Sequence, residues 1–301
     1  MSPRAACLTL ISACMFVLPV QAAPKWPLPE GVKSIEVNGY EMAYQEMGSG
    51  DPIVLIHGTL NDYRAWSVQV PVFAKKYRVI AISLRHHYPE KWDGRGDDYS
   101  IEQHVADLVL FISKLNLGRV HLLGHSRGGA VALNVARVHA EVIKTLILED
   151  SSGLQAILPE DPESQKLAVQ ARENRDALAR NLAAGNAEWA VQVFIDSLNG
   201  AGTFAKIVPE RRQLFLDNIG TAREGDGRPD MTCGDVARLD FPILLLNGER
   251  SPQRYDEMFA AMRKCNASIA APIVIPNAAH AMHVQNPTVF NSIVLDFLAR
   301  H

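Results

Sequence analysis

Short apolar runs recur along the chain and alternate with stretches of helical periodicity. Runs that are apolar on both faces predict buried strands of a parallel sheet, at residues 52–56, 77–82, 120–123, 145–148, 242–246 and 273–275. Apolar positions spaced close to 3.6 residues predict helices over 101–115, 128–140, 254–264 and 288–299. This order predicts an α/β protein with a doubly wound, mostly parallel sheet and right-handed crossovers.

Two alternating segments precede the first of these runs. Residues 34–37 and 40–45 alternate apolar and polar positions, and Asn38-Gly39 lies between them. This dipeptide favours the positive φ angles of a two-residue hairpin turn. We therefore expect an antiparallel hairpin at the start of the sheet.

The alternation stops between residues 153 and 235. This interval has no strand-like run, and its segments 164–182, 187–198 and 210–218 have helical character. An insertion between two sheet strands predicts a helical cap over residues 153–235, placed after the sixth strand. The α/β core would then consist of residues 23–152 and 236–301.

The N-terminus has the layout of a secretory signal peptide. Arg4 is followed by an almost wholly apolar segment, residues 5–20, and small residues precede a cleavage site after Ala22. We expect residues 1–22 to be removed and the protein to be exported, to the periplasm or the medium. The alternatives are an uncleaved anchor, since the run is near the lower limit for a span, and a lipoprotein modified at Cys14.

Composition and charge limit the classes of partner that the protein is expected to bind. The chain has 301 residues, a formal net charge of -3 and no long run of one sign, so nucleic acid and anionic membranes are poor partners. Export would leave Cys233 and Cys265 in an oxidising compartment. They are either bonded to each other or two separate buried thiols.

The strongest chemical motif is Gly124-His125-Ser126-Arg127-Gly128. It matches G-x-S-x-G and lies between an apolar strand and an Ala-rich helix, as a nucleophile elbow requires. A sharp turn there presents the serine beside a helix N-terminus, which favours developing negative charge. Ser126 is therefore the candidate nucleophile.

Two further segments are positioned to serve this serine. His57-Gly58-Thr59 ends the first long parallel strand, and the backbone N–H groups of Thr59 and Arg127 could form an oxyanion hole. We expect the His57 ring to organise its loop. His280 follows the last strand and is the preferred base, with His283 as the minor candidate.

These motifs resemble the α/β-hydrolase superfamily over nearly all of the mature chain. His57-Gly58 with Trp66 downstream, the elbow at Ser126, Asn247-Gly248-Glu249 and the His280…Asn286-Pro287…Phe290 tail occur in that family's order. The resemblance is greatest to capped esterases, lactonases, C–C hydrolases, epoxide hydrolases and haloalkane dehalogenases. The last two groups use aspartate at the elbow, so Ser126 argues against both.

The triad acid is where the chain departs from the family pattern. The family usually has aspartate three residues after the glycine that ends the seventh strand, and here that residue is Ser251. The resemblance offers two replacements, Asp150 at the end of the sixth strand and Glu249 near the usual place. Asp150 is the preferred acid, Glu249 is the alternative, and the absence of any acid stays open.

The expected reaction is hydrolysis of a small-to-medium, mainly apolar ester or lactone through an acyl-enzyme, without cofactor. A C–C hydrolase, a perhydrolase and a non-catalytic binding protein of the same fold are the alternatives. We interpret the segment from Arg85 to Tyr88 as loop packing. His86, His87 and His283 lack the spacing of metal ligands, so no metal is expected. A small-molecule substrate is the only partner that the sequence indicates. The sequence gives no indication of the oligomeric state.

Overall fold

The computed structural model describes residues 26–222 and 230–301. The predicted signal peptide, residues 1–22, lies outside the described residues. No helix in the described part of the chain is both long and apolar enough to span a membrane.

The described strands form one eight-stranded sheet in the order β1-β2-β4-β3-β5-β6-β7-β8. The first two strands are antiparallel and β2 is antiparallel to β4, whereas every pair from β4 to β8 is parallel. The strands are β1 (Val32–Val37), β2 (Tyr40–Met47), β3 (Pro52–Ile56), β4 (Arg78–Ile82), β5 (Val120–His125), β6 (Ile143–Glu149), β7 (Ile243–Gly248) and β8 (Ile273–Ile275). The predicted α/β fold with a mostly parallel sheet is confirmed.

The helices cover both faces of the sheet and fill the interval between β6 and β7. They are α1 (Gln69–Phe73), α2 (Ile101–Lys114), α3 (Arg127–Val138), α4 (Pro162–Ala183), α5 (Ala187–Asn199), α6 (Pro209–Asp217), α7 (Cys233–Ala237), α8 (Arg254–Cys265), α9 (Met282–Gln285) and α10 (Pro287–Leu298). Side-chain caps fix several helix starts, such as Ser100, whose side chain accepts a hydrogen bond from the N–H of Gln103 at the start of α2.

The first hairpin has the predicted turn. Val37 pairs with Tyr40 across the two strands, and Asn38 and Gly39 between them have φ angles of 49° and 76°. Positive φ at both central residues is the geometry of a type I′ turn, which matches the twist of the two strands.

Alternate residues of each central strand pack on opposite faces of the sheet. In β3, Val54 and Ile56 contact the apolar cluster that includes α2 and α3, whereas Ile53 and Leu55 contact the cluster that includes α1 and α10. Both faces are therefore buried, which explains why these strands have continuous apolar sequences.

Helices α4, α5 and α6 build a separate apolar cluster between β6 and β7. The cluster is completed by Leu60 from the loop after β3, so it packs against the core. The Met231 N–H donates to the Gly153 carbonyl oxygen at 2.9 Å, which brings the two ends of the insertion together. Helix α7 crosses the predicted boundary at residue 235, and the division into core and cap stays a prediction.

Cys233 and Cys265 form a disulfide. Cys233 is the first residue of α7 and Cys265 the last residue of α8, so the bond joins the end of the helical insertion to a helix of the α/β core. Of the two alternatives left by the sequence, the structure has the bonded pair.

Candidate active site

Ser126 occupies a strained turn between β5 and α3. Its φ and ψ angles are 53° and −114°, a conformation that L-residues adopt rarely and that functional sites often hold. A Cβ on Gly124 would lie 2.5 Å from the carbonyl oxygen of Gly128, and one on Gly128 would overlap the carbonyl oxygen of Ile56. The two motif glycines therefore let strand and helix approach closely enough to form this turn.

The structure brings His280 and Asp150 together. His280 Nδ1 lies 3.0 Å from Asp150 Oδ2, and both side chains are buried. Ser251 Oγ donates to the same carboxylate oxygen at 2.6 Å and accepts from the Gly248 N–H at 3.0 Å. The serine at the usual acid position thus contacts the carboxylate at the end of the neighbouring strand.

Glu249, the alternative acid, lies elsewhere. Its side chain is exposed, and its Oε2 accepts a hydrogen bond of 2.7 Å from the N–H of Asn277. The structure does not bring this carboxylate to His280, whose Nδ1 is already bonded to Asp150.

Burial favours the neutral form of the His280 ring. Burial lowers its pKa well below the ordinary value for histidine. Burial also raises the pKa of Asp150, and the hydroxyl of Ser251 opposes that rise. The ring of Tyr255 stacks on His280 at 4.8 Å between centroids. His280 Nε2 is buried and has no hydrogen-bond partner among the described residues, so it is available to accept a proton.

The loop after β3 lies against the elbow. A Cβ on Gly58 would come within 2.8 Å of His125 Nδ1 and 3.2 Å of Ser126 Cβ, so only glycine allows this approach. Thr59 follows and lines a cavity together with Ser126 and Arg127. Arg127 is also the first residue of α3, whose first-turn N–H groups lack partners within the helix. Its guanidinium lies over the Tyr99 ring, 4.5 Å from the centroid.

Three other histidines form loop contacts. His57 Nδ1 lies 2.9 Å from the Gly58 carbonyl oxygen, and its Nε2 accepts from the Leu84 N–H at 3.0 Å. Burial lowers the pKa of His57 to about 4. His86 contacts the partly buried carboxylates of Glu90 and Asp98, and His87 contacts the carbonyl oxygen of Asn61. All three rings thus organise loops.

A second buried cluster supports the loop that carries His280. Glu149 Oε1 accepts from both the backbone N–H and Nδ1 of His283, at 3.1 and 2.8 Å, and His125 Nε2 lies 2.9 Å from the carbonyl oxygen of His280. Burial raises the pKa of Glu149 to about 7. Sequence reasoning missed Glu149 and His125, although each adjoins a predicted site residue.

This cluster is also the only set of three potential metal ligands found close together in residues 26–222 and 230–301. One ligand atom from each of His125, Glu149 and His283 lies within 4.8 Å of the others. The ring nitrogens His125 Nε2 and His283 Nδ1 already contact protein atoms. The contacts observed in the cluster therefore join the elbow, the end of β6 and the His280 loop.

Two cavities meet at Ser126. The smaller, of about 410 Å³, extends towards α4 and α8, and the larger, of about 700 Å³, extends towards α5 and α6. His280 lines the larger cavity together with Ser126. Much of its wall is apolar, formed by Phe194, Ile195, Leu198, Ile207, Leu214 and Phe215. A substrate whose carbonyl lies at Ser126 can therefore extend into one cavity on each side.

The structure combines a serine in the turn between a strand and a helix, a buried histidine–carboxylate pair and a mostly parallel eight-stranded sheet. These features together define a hydrolase of the α/β type. The model of the alpha/beta hydrolase family matches residues 53–293, most of the chain, and the chain belongs to this family.

Several proteins similar to this chain are named as enzymes. The chain is 26% identical to the (E)-2-((N-methylformamido)methylene)succinate hydrolase of Acinetobacter baylyi, over 88% of this chain and 97% of that protein. A thermophilic esterase from Thermogutta terrifontis, solved with malate bound, has a TM-score of 0.71 at 25% identity and covers 89% of this chain and 98% of its own. The enol-lactonase from Burkholderia xenovorans has the same fold, with a TM-score of 0.67 at 22% identity over 89% of this chain and all of its own.

Proposed function

We propose that this protein is a serine hydrolase that cleaves small-to-medium, mainly apolar carboxylic esters or lactones through an acyl-enzyme. The proposal rests above all on one observation, the His280–Asp150 pair beside a cavity that also contains the elbow residue Ser126. The apolar wall of that cavity supports an apolar substrate. The similarity to an esterase and the shared fold with an enol-lactonase are consistent with acyl chemistry.

In the proposed reaction, Ser126 Oγ attacks the substrate carbonyl and transfers its proton to His280 Nε2. Asp150 stabilises the imidazolium that forms. The backbone N–H groups of Thr59 and Arg127 donate to the tetrahedral oxyanion. The intermediate collapses, His280 returns the proton to the leaving alcohol, and the acyl group stays on Ser126. Water then attacks the acyl-enzyme with the same base, which releases the acid and restores Ser126.

The test is hydrolysis of a chain-length series of p-nitrophenyl esters by the wild type and Ser126→Ala, with labelling by a fluorophosphonate probe. We expect turnover and labelling by the wild type and loss of both in the variant. Turnover that survives in Ser126→Ala would overturn the proposed nucleophile. A wild type that is neither labelled nor active on any ester would overturn the esterase proposal and favour C–C hydrolysis or ligand binding.

We also propose that the protein is exported, with residues 1–22 as a cleaved signal peptide. Besides the sequence pattern, the Cys233–Cys265 disulfide supports an oxidising compartment. Osmotic-shock fractionation followed by mass spectrometry should recover a mature chain that begins at Ala23. Recovery of an uncleaved chain with the cytoplasmic fraction would contradict export.

A further inference from the structure

A cationic side chain of the cap interval lines the cavity of the candidate active site. Arg211 lies on α6 and borders the same 700 Å³ cavity as Ser126 and His280. It is partly buried, and the nearby ring of Phe215 is 5.5 Å from its guanidinium carbon. In the described residues, no side chain forms an ion pair or hydrogen bond with this guanidinium. A cation removed from water without a partner costs free energy, so a guanidinium at this place calls for an explanation.

The carboxylates whose charge acts on Arg211 are already held by other groups. Asp62 accepts hydrogen bonds from the backbone N–H, Nε and Nη2 of Arg64, at 2.8, 2.9 and 2.7 Å, and from Asn218 Nδ2 at 2.6 Å. Glu149 is bonded to His283 through the contacts described above. The positive charge of Arg211 is therefore not neutralised by direct contact with either acid.

Arg211 stays protonated in this place. Burial lowers its pKa, but only to about 10, so the guanidinium is charged at neutral pH. The other charged residues that line this cavity are Arg64, Lys206 and Glu210, so the cavity carries more positive than negative groups. Next to apolar walls, a charge acts through a lower effective dielectric than it would in water.

We propose that Arg211 is a specificity residue that binds a carboxylate on the substrate, so the preferred substrates are esters or lactones that carry an acidic group. This inference rests on the proposed hydrolase function and deepens it. A guanidinium presents a planar fork of N–H donors that matches the two oxygens of a carboxylate. The apolar walls contact the carbon chain between that carboxylate and the scissile carbonyl, while Ser126 and His280 act on the carbonyl itself.

Two esters with the same six-carbon acyl chain test the proposal, p-nitrophenyl hexanoate and the p-nitrophenyl monoester of adipic acid. They differ in a terminal carboxylate. We expect Arg211→Met to lower kcat/KM for the adipate monoester roughly 10- to 100-fold, the range of a charge-assisted hydrogen bond. The neutral ester should change less than about threefold. Most of the loss should be in KM, because the carboxylate is bound in the ground state as well.

Two further variants serve as controls. Arg180→Met removes the same charge from an exposed site on α4 and should leave both esters unaffected. Arg211→Lys retains the cation without the fork and should recover part of the preference for the anionic ester. Thermal unfolding of each variant checks that it is folded.

The outcomes separate this inference from the proposed function. If Ser126→Ala hydrolyses the neutral ester as fast as the wild type, the proposal of a serine hydrolase with Ser126 as nucleophile fails. If hydrolysis depends on Ser126 but Arg211→Met changes both esters equally, or changes neither, the carboxylate inference is overturned. If Arg211→Met does not fold, Arg211→Lys decides, because an unchanged ratio between the two esters would refute recognition by the fork.

Discussion

Replacing Asp150 by Asn tests the proposed acid directly. The substitution keeps the size of the side chain and removes its charge, 3.0 Å from His280 Nδ1. Two unit charges at this distance and an effective dielectric constant of 20 attract each other by about 5 kcal/mol. That attraction exists only when His280 is protonated, so its loss raises the barrier to proton transfer. At 1.36 kcal/mol for each tenfold change, the rate should fall by roughly a thousand- to ten-thousand-fold.

The pH profile gives a second readout. Without the negative charge of Asp150, the imidazolium of His280 is less stable and the pKa of the ring falls. The acid limb of kcat/KM should therefore move to lower pH in Asp150→Asn. The assay is p-nitrophenyl ester hydrolysis across pH, with circular dichroism to check folding.

Glu249→Gln is the matched control for this experiment. It makes the same chemical change at an exposed carboxylate that is bonded to the Asn277 backbone. We expect almost unchanged kcat/KM. The reasoning is refuted if folded Asp150→Asn keeps more than about a tenth of wild-type activity, or if Glu249→Gln suffers the larger loss.

Two predictions concern stability. Replacing Cys233 and Cys265 by serine removes a disulfide between residues 32 positions apart and should lower the free energy of unfolding by about 3 to 4 kcal/mol. Urea titration measures this change, and an unchanged denaturation midpoint would contradict a stabilising bond. Burial raises the pKa of Glu149 from 4.5 to about 7. Between pH 4.5 and about pH 7 the folded state therefore keeps a proton that the unfolded state releases, so the free energy of unfolding falls as the pH rises. Glu149→Gln should remove this loss of stability, which amounts to up to about 3 kcal/mol. If the free energy of unfolding has the same slope against pH in the wild type and the variant, a neutral Glu149 carboxyl is contradicted.

The sequence was informative where the determinants are local. The mainly apolar strand before Ser126 and the motif glycines predict the elbow, because the close approach of strand and helix leaves room only for hydrogen at Gly124 and Gly128. The hairpin turn at Asn38-Gly39 follows from two residues alone. Helix limits agree to within about two residues where a capping residue such as Ser100 defines the start.

Contacts between distant segments could not be predicted with the same certainty. The choice between Asp150 and Glu249 depends on which strand end faces the histidine loop, and sequence spacing does not fix that direction. Arg211 appears as one charge in a polar helix until the packing of α6 places it at the cavity. Glu149 carried a clue, because it directly follows three apolar residues of β6, Leu146-Ile147-Leu148, and a carboxylate buried there needs a partner.

Ser251 and His280 both contact one oxygen of Asp150, so the ends of β6 and β7 converge beside the same ring. During divergence of such proteins, a negative charge can pass from one strand end to its neighbour while the histidine stays where it is. An alignment column that holds aspartate in most members can then hold serine in another without loss of the charge. Homologues of this chain are therefore better sorted by the pair of residues at both strand ends than by either position alone.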